Sequence, residues 1–265
     1  MRITITALFA LVLAACSHDD DPPPPPPAPP HELLLSINWD SGLTSQFHYN
    51  ADSTLKRIDF LYGTISGSYH FKWSGRRLVE YHDDRSLYKN MVHYTNGRVA
   101  NITNTIKQGT SASSWDLAFS YHTNGNVKQL VYSVTNEAGK QVKATTEYFY
   151  DNGELSEVLI DQGPQLILFR IDGYTDEVNF NPCAFIDASL NENYVLNNYV
   201  VMSQLKRLPS KITRLVTPQS GATFTDKVQQ DSYTVHNKRI DKLKMEIIYP
   251  NMTIPGVSAE GIFHY

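Results

Sequence analysis

Cysteine is scarce in this chain. Two in 265 residues, Cys16 and Cys183, cannot make a disulfide framework, and a body of about 230 residues needs none because it can bury roughly 70% of its unfolded surface. Charge of one sign is also scarce: Lys+Arg 23 against Asp+Glu 27 leaves a net −4, without the clustered basic face that nucleic acid requires. No largely apolar run exceeds residues 3–15, which as a helix spans about 20 Å against a bilayer core of about 30 Å. That run is too short for a membrane helix. The sequence has no G-x-S-x-G, H-E-x-x-H, paired C-x-x-C or glycine-rich phosphate loop, so the motif-bearing hydrolases, zinc proteases and nucleotide-binding enzymes drop out. Proline is sparse except between Pro22 and Pro30, which hold eight of the fourteen.

What is present begins with the start of the chain. Arg2 and the apolar run read as a signal peptide over 1–15, and its end, Leu13-Ala14-Ala15-Cys16, resembles the lipobox of bacterial lipoproteins. The resemblance implies cleavage before Cys16 and lipid attachment at Cys16, which would anchor the chain to a membrane permanently through several acyl chains. Cys183 would then have no partner, and is expected to be a buried free thiol. Residues 16–31 form a tether in which the proline run favours polyproline II at about 3.1 Å per residue, holding the body roughly 28 Å from its anchor. Asp19-Asp20-Asp21 resembles the export signals of surface lipoproteins in Bacteroidota-type bacteria. It implies an outer-membrane location facing the cell surface, with the periplasmic face as the alternative.

Residues 32–265 are expected to form a single domain, organised by a repeat. An aromatic-x-aromatic end recurs as Phe47-His48-Tyr49, Phe71-Lys72-Trp73, Val92-His93-Tyr94, Phe119-Ser120-Tyr121 and Tyr148-Phe149-Tyr150. Five or six residues later comes Leu55, Leu78, Val99, Val127 or Leu155, and three further on Ile58, Tyr81, Ile102, Leu130 or Val158. A sixth copy runs from Val235 to Ile240 and Leu243. The links include Asn96-Gly97, Asn124-Gly125, Asn152-Gly153 and Asn237-Lys238, the residues that take the positive φ of a hairpin turn. The fold class is therefore mainly β, an antiparallel repeat-built meander forming a curved or rolled sheet. Apolar positions three apart fall on opposite faces of a regular strand, so either both faces are partly covered or each copy carries a bulge. Pro182 and Pro209 bracket Ile186, Leu190, Tyr194, Val201, Leu205 and Leu208 at mostly helical spacing, which predicts a short helical insertion near 183–208 on one face of the sheet.

The pattern Tyr-x-Tyr, glycine turn, x-Leu-x-x-Ile resembles the YD or Rhs-type repeat. With the lipobox and tether, the chain is similar to the uncharacterised repeat lipoproteins of Bacteroidota over about residues 43–160 and more loosely over 232–248. The resemblance implies no catalytic residues.

Candidates for chemistry are few. His82-Asp83-Asp84 offers metal ligands or an acid/base pair; Glu154 with Glu157, or Asp172 with Asp176 and Glu177, offers paired carboxylates of glycosidase type. His48, His70, His93 and His122 recur near the aromatic ends, at offsets that do not imply a converging metal site. No catalytic, cofactor or metal residue is assigned. The sequence reads best as a lipid-anchored cell-envelope protein that binds glycan or protein without catalysis. An extracytoplasmic hydrolase using acids near the turns and a purely structural envelope protein are the alternatives.

Overall fold

The computed structural model describes residues 33–106, 114–186 and 199–265. The signal peptide, Cys16 and the tether lie outside the described residues. Sixteen antiparallel strands close into one barrel. They are β1 (Ser36–Trp39), β2 (Leu43–Tyr49), β3 (Leu55–Tyr62), β4 (Ile65–Ser74), β5 (Arg77–Asp83), β6 (Tyr88–Thr95), β7 (Arg98–Ile106) and β8 (Ser114–Tyr121). The second half comprises β9 (Val127–Asn136), β10 (Gly139–Asp151), β11 (Glu154–Asp161), β12 (Gln165–Glu177), β13 (Arg207–Pro218), β14 (Phe224–His236), β15 (Arg239–Ile248) and β16 (Val257–His264). Each strand pairs with its chain neighbours, and β16 pairs with β1. The antiparallel meander expected from the repeat is present, and the curved or rolled sheet is more specifically a closed barrel.

A bulge repeated at one level reconciles the three-residue spacing with a single buried face. Tyr49 faces Leu55 while His48 faces Arg57, so Lys56 is an extra residue. Val79, Ala100, Lys128, Ser156 and Asp241 are extra in the same way in the other five copies. One inserted residue restores the parity of the side chains that follow it. Both apolar positions of every copy therefore point into the barrel, and Leu55, Ile58, Leu78, Tyr81, Ile102, Leu130, Leu155 and Ile240 are all buried. The turns at this end hold Asn96 with Gly97 and Asn152 with Gly153 at positive φ, and Asn237 with Lys238 does the same without glycine, as a type I′ turn requires.

The second aromatic of a copy ties one hairpin to the one before. Trp73 Nε1 donates to the Leu55 carbonyl at 2.6 Å, Tyr94 Oη to that of Leu78 at 3.0 Å, and Tyr121 Oη to that of Val99 at 2.7 Å. Arg77 and Arg98, each just ahead of the accepting residue, place their guanidinium carbons 5.5 and 5.4 Å from the centroids of the Tyr94 and Tyr121 rings, within range of a cation–π attraction. Burial, working against the pull of Arg98, pushes the Tyr121 phenol up to about 12, so the donor stays protonated at any physiological pH. Changing Tyr94 to Phe removes one such bond and leaves the ring. Thermal or urea unfolding should show a loss of about 0.5–1.5 kcal/mol, and an unchanged midpoint would mean that the bond is idle.

Two further copies complete an eightfold set. Tyr174 Oη donates to the Leu155 carbonyl, and its hairpin partner segment begins at Arg207-Leu208, beyond the insertion that replaces the usual turn. The last copy is split across the chain: Phe263 pairs with Ile37 and His264 with Ser36, while Tyr265 Oη donates to the Ile240 carbonyl at 3.0 Å and Tyr49 Oη to that of Leu34 at 2.9 Å. Leu34 and Ile37, three apart and both fully buried, are that copy's apolar pair.

Of the expected helical insertion, the described residues hold α1 (Cys183–Ile186) and α2 (Tyr199–Met202), while Leu190 and Tyr194 lie outside the described residues. Leu208 and Pro209 belong to β13, because Leu208 fills a repeat position in the wall, and adjacent β-branched Val200 and Val201 favour helix weakly. Ala184, Phe185, Val200, Val201 and Met202 are buried, and Phe185 packs edge-on against inward-pointing Phe71 with centroids 5.4 Å apart. The described residues of the insertion pack on the inner face of the sheet and plug the turn end of the barrel.

Candidate functional site

The barrel has two unlike walls and two unlike ends. Outward positions carry Arg57, Asp59, Lys72, Glu80, Lys89, Glu147, Arg170, Asp172, Lys242 and Lys244, joined in ladders such as Arg57–Asp59 at 2.8 Å, Lys89–Glu80 at 3.0 Å and Lys242–Glu260 at 2.7 Å. A membrane-spanning barrel shows the reverse alternation, and each Lys or Arg at a bilayer midplane costs about 2–4 kcal/mol. This outer wall faces water.

Inside, the apolar pairs and the plug fill the turn end. Toward the other end the inward positions change: Asp83 follows Tyr81 by two, Asn90 precedes Val92 by two, and Asn104 follows Ile102 by two. Tyr69, Tyr88, Trp115 and Tyr132 also point in from this half, and all four are half-buried where the repeat residues below them are buried. Among the described residues these inward side chains are therefore partly accessible to solvent, as the strand number allows. Across the lumen, on β13 and β14, stand Arg214, Lys227, Gln229 and Asp231. Arg214 Nη1 meets Asp226 Oδ2 at 3.0 Å, and Gln229 Nε2 donates to Asp231 Oδ2 at 2.9 Å.

The residues singled out in the sequence do not converge. His82 points outward and stacks on His70 with centroids 5.0 Å apart, Asp83 points inward, and Asp84 Oδ1 accepts from Ser68 N at 3.0 Å. Burial pushes the Asp83 carboxyl up, but hydrogen bonds from Arg85 and its charge outweigh that and hold it below the usual range. His48 bonds Asp59 at 2.8 Å, His93 bonds Thr103 at 2.9 Å, and His122 lies edge-on to Tyr150. Ser68 Oγ also donates to Asp59, at 2.6 Å. The carboxylate thus stands between serine and histidine, an order that activates no nucleophile.

Glu154 is held by Arg207 Nη1 at 2.6 Å, and Glu177 by Lys238 Nζ at 2.9 Å. Asp172 sits between Arg170 Nε and Thr213 Oγ1, each at 2.8 Å. Burial raises the Asp172 carboxyl less than these two hydrogen bonds and the neighbouring cations lower it, and the ion pair with Lys238 lowers that of Glu177. A glycosidase acid needs the opposite shift. Among the described residues no group of three or more His, Cys, Asp or Glu could hold a metal. The side chain of Cys183 lies outside the described ones. What the sequence reading missed is the lumen itself, whose signal is a polar residue two positions from the repeat's apolar pair.

No family model and no curated protein matches the chain. Among solved structures, a porin-like protein from Bacteroides uniformis ATCC 8492 is similar, with a TM-score of 0.58 and 11% identity over 87% of this chain and 96% of that one. A porin-like protein from Bacteroides vulgatus ATCC 8482 gives a TM-score of 0.59 and 11% identity, over 88% of this chain and 98% of that one. At that identity the likeness shows the fold: the chain is a closed antiparallel barrel similar to those of the two porin-like proteins.

Proposed function

We propose that this protein is a lipid-anchored component of the cell envelope that binds a glycan or a protein without catalysis, at the open end of its barrel. The observation that carries the reading is the contrast between the two ends, one packed with apolar residues and plugged, the other lined by half-buried rings, amides and paired charges. The described chain enters the barrel at the plugged end through Leu33 and Leu34. Display on the outer membrane facing outward, and kinship with the YD/Rhs-type repeat lipoproteins, belong to the same proposal. The hydrolase reading has no observation in its favour, since Glu154, Asp172 and Glu177 are each engaged by a cation.

Fractionation tests the anchor. Cys16→Ala should move the protein from the membrane pellet to the soluble fraction without detergent, as a water-facing outer wall requires; retention in the pellet would overturn the anchor. A screen of envelope glycans and envelope proteins against the solubilised full chain tests binding. Failure of every ligand to bind would leave a structural role in its place.

A further inference from the structure

We infer that the open half of the barrel is a binding site for neutral oligosaccharide, laid along the inner faces of β4 to β9. The inference rests on the binding role proposed above and names its ligand. Tyr69, Asn90, Asn104, Trp115 and Tyr132 stand on successive strands apart from β5, which contributes Asp83. The register keeps them on one inner face: Tyr69 opposite Asp83, Asn90 opposite Asn104, and Leu117 beside Trp115 opposite Tyr132. Five interstrand spacings of about 4.8 Å make a band about 24 Å long, enough for several sugar rings in a row.

Three properties select the ligand class. Flat rings offer stacking surfaces for the C–H faces of pyranoses, with Tyr and Trp each keeping a polar tip. Between the rings stand amides, the groups that both donate to and accept from hydroxyls; Asn104 Oδ1 accepts from Trp115 N, whereas among the described residues nothing donates to the buried Oδ1 of Asn90. Charged residues on the described lumen walls balance in sign, Asp83 with Arg85 Nη2 at 2.6 Å and Arg214 with Asp226 at 3.0 Å, with Lys227 and Asp231 adding one of each, so among the described residues an acidic polysaccharide would find no net positive wall. A peptide adding as a strand would need a free sheet edge, which a closed barrel does not have. An acyl chain would need a continuous apolar lumen, which Asn90, Asn104, Gln229 and Asp231 interrupt.

The test is a titration of the detergent-solubilised full chain, followed by intrinsic fluorescence, with neutral α-1,4- and β-1,4-linked hexasaccharides and with oligogalacturonate. At least one neutral hexasaccharide should give a saturable change, weakened tenfold or more in both Tyr88→Ser and Asn90→Ala. The outer-wall variant Lys72→Ala should bind as the parent does. Tyr132→Ser, a second ring on the opposite flank of the band, replaces either variant whose melting curve shows that it has not folded. Undiminished binding in the lumen variants, or a preference for oligogalacturonate, would overturn the site or its ligand class and leave a binding role standing. Binding of an envelope protein with no saccharide would do the same, whereas binding of neither class would overturn both.

Discussion

Removing residues 257–265 should abolish cooperative unfolding. The deletion takes away β16, which pairs along its length with β15 and β1, together with buried Phe263 and the Tyr265 hydroxyl that bonds the Ile240 carbonyl. A buried Phe side chain alone accounts for about 1.5–3 kcal/mol. Leu34 and Ile37 lose their covering at the same time, and typical domains hold about 5–15 kcal/mol in total. The loss also uncovers two unpaired strand edges in a protein that otherwise has none, which invites aggregation. Far-UV circular dichroism on heating should show a broad, non-sigmoidal loss of signal, and trypsin should degrade the truncated protein within minutes. A cooperative melt within a few degrees of the parent would mean that the barrel does not depend on its seam.

The eightfold reading makes a companion expectation that loss of function by deletion cannot supply. If Phe263 to Ile37 is one repeat cut open, closing it with a copy of Thr95-Asn96-Gly97-Arg98 between Tyr265 and Leu34 should rebuild an ordinary hairpin. The chain can then be opened at Asn152-Gly153 instead. Such a permutant should melt within about 5 °C of the parent, since it exchanges one two-residue turn for another and leaves every strand pair in place. Failure of the permutant to fold would show that the N-terminal strand has a special role in the sequence of assembly, which the repeat symmetry denies.

How much of this was legible beforehand depends on how local each feature is. Six copies of the repeat could be aligned because each fits in fewer than thirty residues, and the turn residues carry their own conformational preference. The apolar pair three apart was visible, but the bulge that puts Leu55 and Ile58 on one face was only one of two options, because the face of a bulged strand is decided by its partner's register. The copy at Tyr174 was hidden because Leu208 lies beyond an insertion, and the copy at Phe263 because Leu34 and Ile37 are at the other end of the chain. Closure was hidden for the same reason: it is a contact between β1 and β16. The lumen residues were opaque because an inward Asn90 and an outward Asn101 look alike in sequence until the parity of the strand is fixed. The carboxylates and histidines drew attention because they stand near turns, and the structure spreads them over both walls: Asp83 points inward, while His48, Glu154, Asp172 and Glu177 are held in separate ion pairs.

The plug should be a structural part of the barrel, and Phe185→Ala tests it with the other large expected effect. Phe185 touches three rings, Phe71 at 5.4 Å, Phe180 at 6.2 Å and Tyr199 at 5.4 Å between centroids, and is buried. Truncating a buried Phe costs about 3–5 kcal/mol, part transfer and part residual cavity. For a domain of this size that corresponds to a fall of roughly 6–20 °C in the melting midpoint. The location of the damage separates the plug from an ordinary core residue. Ile102→Ala, in the wall, should lower protection from amide exchange on β6, β7 and β8 alike. Phe185→Ala should first release the amides of α2 and of the inner ends of β4 and β5, leaving the ladder at the open end protected until the global transition. A sixteen-strand barrel is too wide for its own side chains to fill from wall to wall, so Phe180, Phe185, Tyr199 and Met202 supply packing that the strands cannot. A loss below about 1 kcal/mol on Phe185→Ala would instead mean that the turn end is held by its apolar ring alone, with the insertion as a cover.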